Sequence, residues 1–393
     1  MRHLVPLVAL AALTACAGAP PRYYKGNLHT HTLWSDGNHF PEMVVDWYAQ
    51  RDYDFLALTD HNVLADHEKW MQNDQVVRRG GRAALSEYRA RFGADWVEER
   101  QREGKLEVRL KRLDEIAPLF ADLLLIPAEE VTSSFESRPI HINASNVASR
   151  LAPQRGESVQ DVIRKTMRAV MEHAAANDRR VLAHLNHPNF GWGINADDLA
   201  RVTEEHFFEV YNGHPGVNHR GDADRPGTER LWDIANTTRR RELDAPLLMG
   251  LGTDDCHNYH NASGSTPGRG WVMVRAAACT ASSLLAAMER GDFYASSGVT
   301  LDDVRFDGQT LSVDIAPAAG ASYVTTFIGT RADGEPGEVL ARVEGLHPRY
   351  RARGDELFVR ATVTSSATAD NPVWDGQPKQ AWVQPVVPAR APR

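Results

Sequence analysis

The sequence predicts an α/β fold in which strands deliver their chemistry to one shared mouth, followed by a small β domain. Three observations predict it. Six short segments, far apart in the chain, place His, Asp or Glu at the end of apolar runs: His29-Thr30-His31 with Asp36, Asp60-His61, Glu129-Glu130, His141, His184 to His187, and Asp255-Cys256-His257. Barrels of parallel strands set one or two functional side chains at each strand's C-terminal end. The start of the chain also reads strand, turn, helix, strand, the βαβ signature of a parallel sheet. From about residue 301 the texture changes to short strand-like runs separated by Gly, Asp and Pro, which predicts a C-terminal antiparallel β domain over 301–386.

The elements follow in order. Residues 24–29 read as a first strand and Ser35-Asp36-Gly37 as a turn. Pro41 suits the first position of a helix carrying Met43, Val44, Trp47 and Tyr48. The second strand is 55–59. Residues 64–120 are rich in Arg, Glu and Lys, and Trp70, Tyr88, Phe92 and Trp96 stand among the charges. They predict a mostly helical insertion, either a lid or a structural cap. Strand signals resume at 123–126 and 140–143. Ser158 with Asp161 makes a capping-box-like start to a helix running through Val162, Met167, Val170 and Met171 to about Asn177. Further strands are expected at 181–183, 207–211 and 247–251, and a short helix over 282–290 before Gly291. In the β domain the strands are expected at 311–315, 323–328, 357–363 and 381–383, with 387–393 a tail.

The N-terminus reads as a targeting segment. Met1-Arg2-His3 is a short basic start, and the apolar run 4–13 is too short to span a bilayer as a mature helix. Leu13-Thr14-Ala15-Cys16 resembles a bacterial lipobox, in which the Cys is lipidated and becomes the mature N-terminus. Residues 1–16 are then a signal peptide and 17–22 a tether. Ala17 follows Cys16 where Asp would mark inner-membrane retention, so the expectation is an exported, outer-membrane-anchored lipoprotein facing the periplasm or cell surface. An ordinary cleaved signal with an incidental Cys is the alternative. A net charge of -8 argues against nucleic acid as the main partner, because phosphate backbones need a basic footprint. Beyond Cys16 only Cys256 and Cys279 remain, too few for a disulfide framework.

His29 and His31 are two apart, so on a strand both rings face one side, and Asp255 with His257 repeats the spacing. Imidazole with carboxylate suits zinc, manganese or iron. The number of such residues is enough for more than one ion. No Gly-x-Ser-x-Gly elbow is present to supply another nucleophile. Divalent ions lower the pKa of bound water and supply hydroxide near neutral pH, so the chemistry expected is hydrolysis.

These motifs resemble the PHP (polymerase and histidinol phosphatase) superfamily. The matching residues are His29-Thr30-His31 with Ser35-Asp36-Gly37, Leu58-Thr59-Asp60-His61-Asn62, Ile126 to Glu130, Asn186-His187-Pro188 and Gly252-Thr253-Asp254-Asp255-Cys256-His257. Asn186-His187-Pro188 and the run Gly291 to Gly298 look like the branch that includes carbaryl hydrolase. The resemblance covers roughly residues 24–300 and implies a distorted (β/α)7 TIM-like barrel over 23–300 with two or three divalent ions. It implies a first ion on His29, His31, Glu130 and Asp255. Glu130 would bridge to a second ion held with His141 and His187, and a third would use Asp36, His61 and His257. Glu129 stays an alternative to Glu130. His184 departs from the family pattern and is open between ligand, orienting partner and core residue, with the orienting role favoured. The missing general acid has Asp254, His184, His214 and His219 as candidates.

Asn212 and His214 end another strand and are candidate substrate contacts or parts of a structural turn. His219 and Arg225 lie in the loop that follows. An arginine there would grip a phosphate bidentately, or serve as an ordinary surface charge. The expected activity is a metal-dependent phosphoesterase acting on a small, phosphorylated ester. A carboxylester, carbamate or amide hydrolase, and a non-catalytic surface-anchored metal- or ligand-binding protein, are the alternatives.

Overall fold

The computed structural model describes residues 20–260 and 263–389. Cys16 and the signal segment lie outside the described residues, and so do residues 17–19 of the tether. Among the described residues no helix is long and apolar enough to cross a membrane.

The opening unit is a parallel pair, β1 (Arg22–Asn27) and β2 (Phe55–Leu58), joined through α1 (Pro41–Ala49) with its proline in the first turn. Residues 64–120 then leave the main sheet. They hold β3 (Lys69–Gln72), α2 (Asn73–Gly80), α3 (Ala84–Phe92), β4 (Glu99–Arg102), β5 (Lys105–Leu110) and α4 (Leu113–Ile116). The mostly helical expectation is thereby corrected, since β3, β5 and β4 form a three-stranded antiparallel sheet. The reason is legible in Leu106, Val108 and Leu110, which alternate with charged residues at the strand period of two. Val108 and Leu110 are buried with Met71, Val76 and Tyr88, and the same cluster includes Leu33, Trp34 and Phe40. This excursion therefore packs on the loop that carries Asp36.

The chain returns through β6 (Leu124–Phe135), β7 (Arg138–Ser145), β8 (Leu182–Leu185), β9 (Phe207–Asn212) and β10 (Met249–Thr253). Only Glu136 and Ser137 separate β6 from β7. Two residues close a hairpin but not a crossover, so β7 runs antiparallel to both β6 and β8. The helices between are α5 (Val159–Ala176), α6 (Ala196–Arg201) and α7 (Thr228–Arg241). Ser158 caps α5 by accepting the Asp161 N–H at 3.1 Å, as the sequence suggests. Then β11 (Trp271–Ala276), α8 (Ala281–Glu289) and β12 (Phe293–Ser296) complete this part.

The C-terminal strands are β13 (Leu301–Phe306), β14 (Thr310–Ile315), β15 (Tyr323–Arg331), β16 (Glu338–Glu344), β17 (Arg349–Arg351), β18 (Glu356–Thr368) and β19 (Pro378–Val386). They pair antiparallel and enclose a core of their own around Phe327, Val359 and Val383. They are also continuous with the rest. β19 pairs with β12, giving a thirteen-stranded mixed sheet in the order β10-β9-β8-β7-β6-β2-β1-β11-β12-β19-β18-β15-β16. The backbone hydrogen bonds trace an open order with β10 at its edge. That edge is sealed by a side chain: the buried Gln384 amide accepts the Gly250 N–H at 2.9 Å and donates to the Gly250 carbonyl at 2.8 Å.

A buried fork also joins the two parts. Arg360 in β18 donates to both carboxylate oxygens of Asp233 in α7, at 2.7 and 2.8 Å, and to Glu229 at 3.1 Å. Removing Asp233 leaves the buried guanidinium with only the partly exposed Glu229, so Asp233→Ala is expected to destabilise the protein by about 3 kcal/mol in urea denaturation. Replacing the pair together, Arg360→Met with Asp233→Leu, is expected to destabilise it less.

Glu205 supplies a pH signature. Its carboxyl is buried, one oxygen accepts only the Phe207 N–H at 2.7 Å and the other has no partner. Burial pushes it up to about 8 from 4.5. The folded state then holds a proton that the unfolded chain releases, so this residue's penalty is absent below about pH 4.5 and complete above about pH 8. Glu205→Gln is expected to gain stability over wild type as pH rises through that window, read as the difference in denaturation midpoints.

Candidate metal centre

Two backbone registers bring the ligands together. Beyond β1, residues 28–31 run beside the segment after β10: Asp255 N–H donates to the His29 carbonyl at 3.0 Å and His31 N–H to the Cys256 carbonyl at 2.9 Å. Thr30 and Cys256 form a parallel bridge, and His61 and Glu130 form another. Alternate residues share a face, so His29, His31, Asp255 and His257 converge. Asp255 adopts a left-handed backbone at φ 48°, an arrangement that persists only where neighbours over-determine it.

The innermost group is His29, His31, Glu130 and Asp255. His29 Nε2 lies 3.2 Å from Asp255 Oδ1 and 3.5 Å from Glu130 Oε2, and His31 Nε2 lies 3.2 and 3.3 Å from the same two atoms. None of these contacts is a directional hydrogen bond: His29 Nε2, His31 Nε2 and Glu130 Oε2 are buried without a hydrogen-bond partner. The spacing matches the edge of a tetrahedron, about 3.3 Å for metal–ligand bonds of about 2.0–2.1 Å. Three orphaned donor atoms, with Asp255 Oδ1 at the same ligand–ligand spacing, fit one divalent ion.

Glu130 divides its oxygens. While Oε2 faces His29, His31 and the His61 Nδ1 at 2.8 Å, Oε1 lies 3.0 Å from His141 Nδ1 and 3.6 Å from His187 Nε2. A carboxylate so placed suits a bridge between two ions. A third group sits nearer the solvent. Asp36 Oδ1 is 3.3 Å from His257 Nε2 and 3.7 Å from His31 Nδ1, and its Oδ2 is 3.6 Å from His61 Nε2. All nine expected ligands are thus gathered at one mouth, in groups whose donor atoms could hold a divalent ion.

The Asp36 turn is built by Asp60. Its Oδ1 accepts the Thr32 and Ser35 N–H groups at 2.8 and 2.9 Å, and its Oδ2 accepts the Thr32 hydroxyl at 2.8 Å. Asp60 therefore shapes the loop and orients no imidazole. Glu129 points away from the centre and accepts the Leu151 N–H; burial pushes its carboxyl up to about 7. The choice between the two adjacent glutamates falls to Glu130.

Glu209 was not among the sequence candidates, yet it stands directly behind the centre. Fully buried, it takes His29 Nδ1 at 2.6 Å, the Thr253 hydroxyl at 2.7 Å, the Asn212 amide at 2.7 Å and the His187 N–H at 2.7 Å. The carboxylate holds the proton of His29 on Nδ1 and frees Nε2 for a metal. The signal that could have found it is a lone carboxylate inside the apolar strand Phe-Phe-Glu-Val-Tyr.

Other candidates are placed as follows. His184 is buried 3.5 Å from Glu209 Oε1, beside His29 and on the far side from the mouth-lining rings. Asp254 is saturated by the Gly268, Arg269 and Gly270 N–H groups and the Tyr48 hydroxyl, so it pins the 268–270 loop and is no proton donor to substrate. Asn212 is buried with its amide on Glu209 and on Asp255 at 3.1 Å, which makes it a positioning residue. His219 is committed to the Asn212 carbonyl at 2.6 Å and stacks on Tyr211, and burial pushes it down to about 4. Arg225 pairs with Asp222 and covers Trp192, away from the ligands. His214 remains at the mouth, half-buried, its ring 5.8 Å from that of His257. Its Nδ1 accepts the Gly216 N–H at 3.0 Å, so the ring proton sits on Nε2. The excursion adds two cations the sequence did not single out: Arg79 donates to the Ser35 carbonyl and Lys69 to that of Trp34, beside the Asp36 loop.

The charges are strongly coupled. Burial opposes the Glu130 anion, but His61, His29 and His141 outweigh it and hold the carboxyl well below its usual range. Burial likewise opposes a charged His61, and Glu130 outweighs it, pushing the ring up to about 9. Burial and His257 push His31 down to about 4, which keeps its lone pair available.

No protein-family model and no curated protein matches the chain. Among solved structures, it is similar to a two-domain Bacteroides vulgatus protein containing a predicted PHP-like metal-dependent phosphoesterase, at 15% identity and a TM-score of 0.41, over 93% of this chain and 96% of that one. It is also similar to a Bifidobacterium adolescentis protein assigned as a metal-dependent phosphoesterase, at 13% identity and a TM-score of 0.37, over 63% of this chain and 92% of that one. At these values neither likeness carries functional weight, and the geometry of the site decides.

Glu209→Gln keeps the side chain's shape and removes its charge. It is expected to weaken metal binding by about 10–100-fold, measured by competition with a chelator, with the circular dichroism spectrum unchanged.

Proposed function

We propose that the chain is a metal-dependent phosphoesterase of the PHP kind, built on that family's distorted barrel and working with two or three divalent ions of manganese, zinc or iron. The observation that carries this reading is the set of four contacts at 3.2–3.5 Å among His29, His31, Glu130 and Asp255, with Glu130 turning its second oxygen to His141 and His187. When bound, such ions acidify water and clamp developing negative charge on a phosphoryl oxygen. His29 is held in one tautomer by Glu209, and Asn212 fixes Asp255. His214 presents its protonated Nε2 at the mouth and is the residue assigned to proton transfer to the leaving group. Arg79 and Lys69 supply positive charge beside the Asp36 loop. The substrate is a small phosphorylated ester.

Export and lipid anchoring at Cys16 belong to the same proposal and rest on Leu13-Thr14-Ala15-Cys16.

The test is a rate panel on manganese- and zinc-loaded protein with a phosphate monoester, a phosphodiester and a carboxyl ester. Phosphoester turnover is expected, abolished by Asp255→Ala and by chelation. Turnover confined to the carboxyl ester, and lost in Asp255→Ala, would replace it with an ester or carbamate hydrolase of the carbaryl hydrolase branch. His214→Gln is expected to lower kcat by about 10²–10⁴-fold with metal content unchanged.

A further inference from the structure

A second group of ligand-type side chains lies outside the centre just described, where the excursion meets the mouth. His39 precedes α1, Glu87 belongs to α3 and His260 follows β10. Their donor atoms lie within 4.8 Å of one another. We propose that His39, Glu87 and His260 form a separate site for one zinc-like divalent ion, which fastens the excursion to the loops beside the catalytic mouth.

The protons argue for a cation. His260 Nε2 is 3.1 Å from the Asn38 carbonyl, which only accepts, so Nε2 carries the ring proton. The lone pair of the neutral ring is then on Nδ1, and Nδ1 lies 3.1 Å from Glu87 Oε2. A lone pair set against a carboxylate is repulsive unless a cation or a second proton joins them. His39 distinguishes these cases. It is 5% exposed, its Nδ1 has no hydrogen-bond partner, and its ring centroid is 4.1 Å from that of His260. A second proton on His260 would satisfy Glu87 and leave a buried, unpartnered nitrogen beside a positive ring. One metal ion satisfies all three residues.

The site is also braced as metal sites are. A ligating imidazole gains its orientation from a carbonyl on its other nitrogen, and Asn38 provides one. Asn38 is itself fixed: its N–H donates to the His257 carbonyl at 2.9 Å and its side-chain oxygen accepts the Tyr259 N–H at 2.9 Å. Gly80 at the end of α2 packs so closely that a Cβ there would lie 2.4 Å from the Asn38 carbonyl oxygen and 3.1 Å from His260 Nε2. Two imidazoles and one carboxylate are a zinc donor set, and the partly exposed Glu87 leaves the fourth position to water.

The test counts metal and needs no turnover. Purified protein is loaded with Zn2+, desalted and analysed by mass spectrometry, alongside Glu87→Ala, His260→Ala and Asp255→Ala. The expected result is one zinc fewer per chain in the first two variants than in wild type. Asp255→Ala loses ions from the main centre, and adding Glu87→Ala to it is expected to remove one more. Cobalt-loaded protein is expected to lose part of its visible d–d absorption in Glu87→Ala. Glu87 lies at the surface, so that variant reports even if His260→Ala misfolds. Equal zinc counts in wild type and Glu87→Ala would overturn the proposal and leave an ordinary imidazolium–carboxylate pair.

Discussion

A carboxylate ringed by imidazoles, with the Asn186 amide donating to Oε1 at 2.7 Å, sets the terms for the mouth of this protein. Glu130 is fully buried, and a buried carboxylate without counter-charge is costly enough to take up a proton instead. Its neighbours prevent that. His29, His31 and His61 crowd one oxygen, and His141 and His187 the other. Some of those rings are held in turn, His61 by the Thr132 hydroxyl at 2.6 Å. His29 leans on Glu209, and the segment that carries Asp255 is bonded to the segment that carries His29 and His31. The strand register, the left-handed Asp255 and the Glu209 hub all serve to keep opposite charges at ligand spacing.

The centre also has a gradient from inside to outside. The group around Glu130 and Asp255 is sealed, whereas the Asp36 side chain is 53% exposed. Its loop is shaped by Asp60 from one side and covered by the excursion from the other, through Trp34 and Phe40. Asp36 marks an exposed edge of the centre, which residues 64–120 border. Residues 64–120 thus do more than decorate the fold. They frame that edge, and with Arg79 and Lys69 they bring positive charge to a region otherwise rich in carboxylates.

Much of this was legible in the sequence, and what was not has physical causes. The ligands announced themselves because His and Asp at strand ends break an apolar run, and His29-Thr30-His31 declares its shared face by spacing alone. Asp254 and His219 misled for the same reason: a polar residue near a strand end has its role decided by the backbone that folds against it, the 268–270 loop for Asp254 and the Asn212 carbonyl for His219. Glu209 carries only a weak signal, a lone carboxylate in an apolar strand, because a residue that acts through another has no motif of its own. The β6–β7 hairpin is not visible in strands read as 123–126 and 140–143, because β6 runs on to Phe135 and β7 starts at Arg138. The small sheet of the excursion hid behind charges that alternate with Leu106, Val108 and Leu110.

The Gln384 amide has a consequence for how the molecule comes into being. β10 delivers Asp255 and His257 to the centre, yet the backbone of Gly250 in that strand finds its partners in a side chain 134 residues further on. Until that glutamine has left the ribosome, the strand bearing two of the ligands has a bare edge. The edge of that strand is therefore complete only with the last strand in place, and the two halves are poor candidates for separation by recombination. An ion arriving early would meet an unfinished cradle; one arriving after the last strand is in place would meet a finished one.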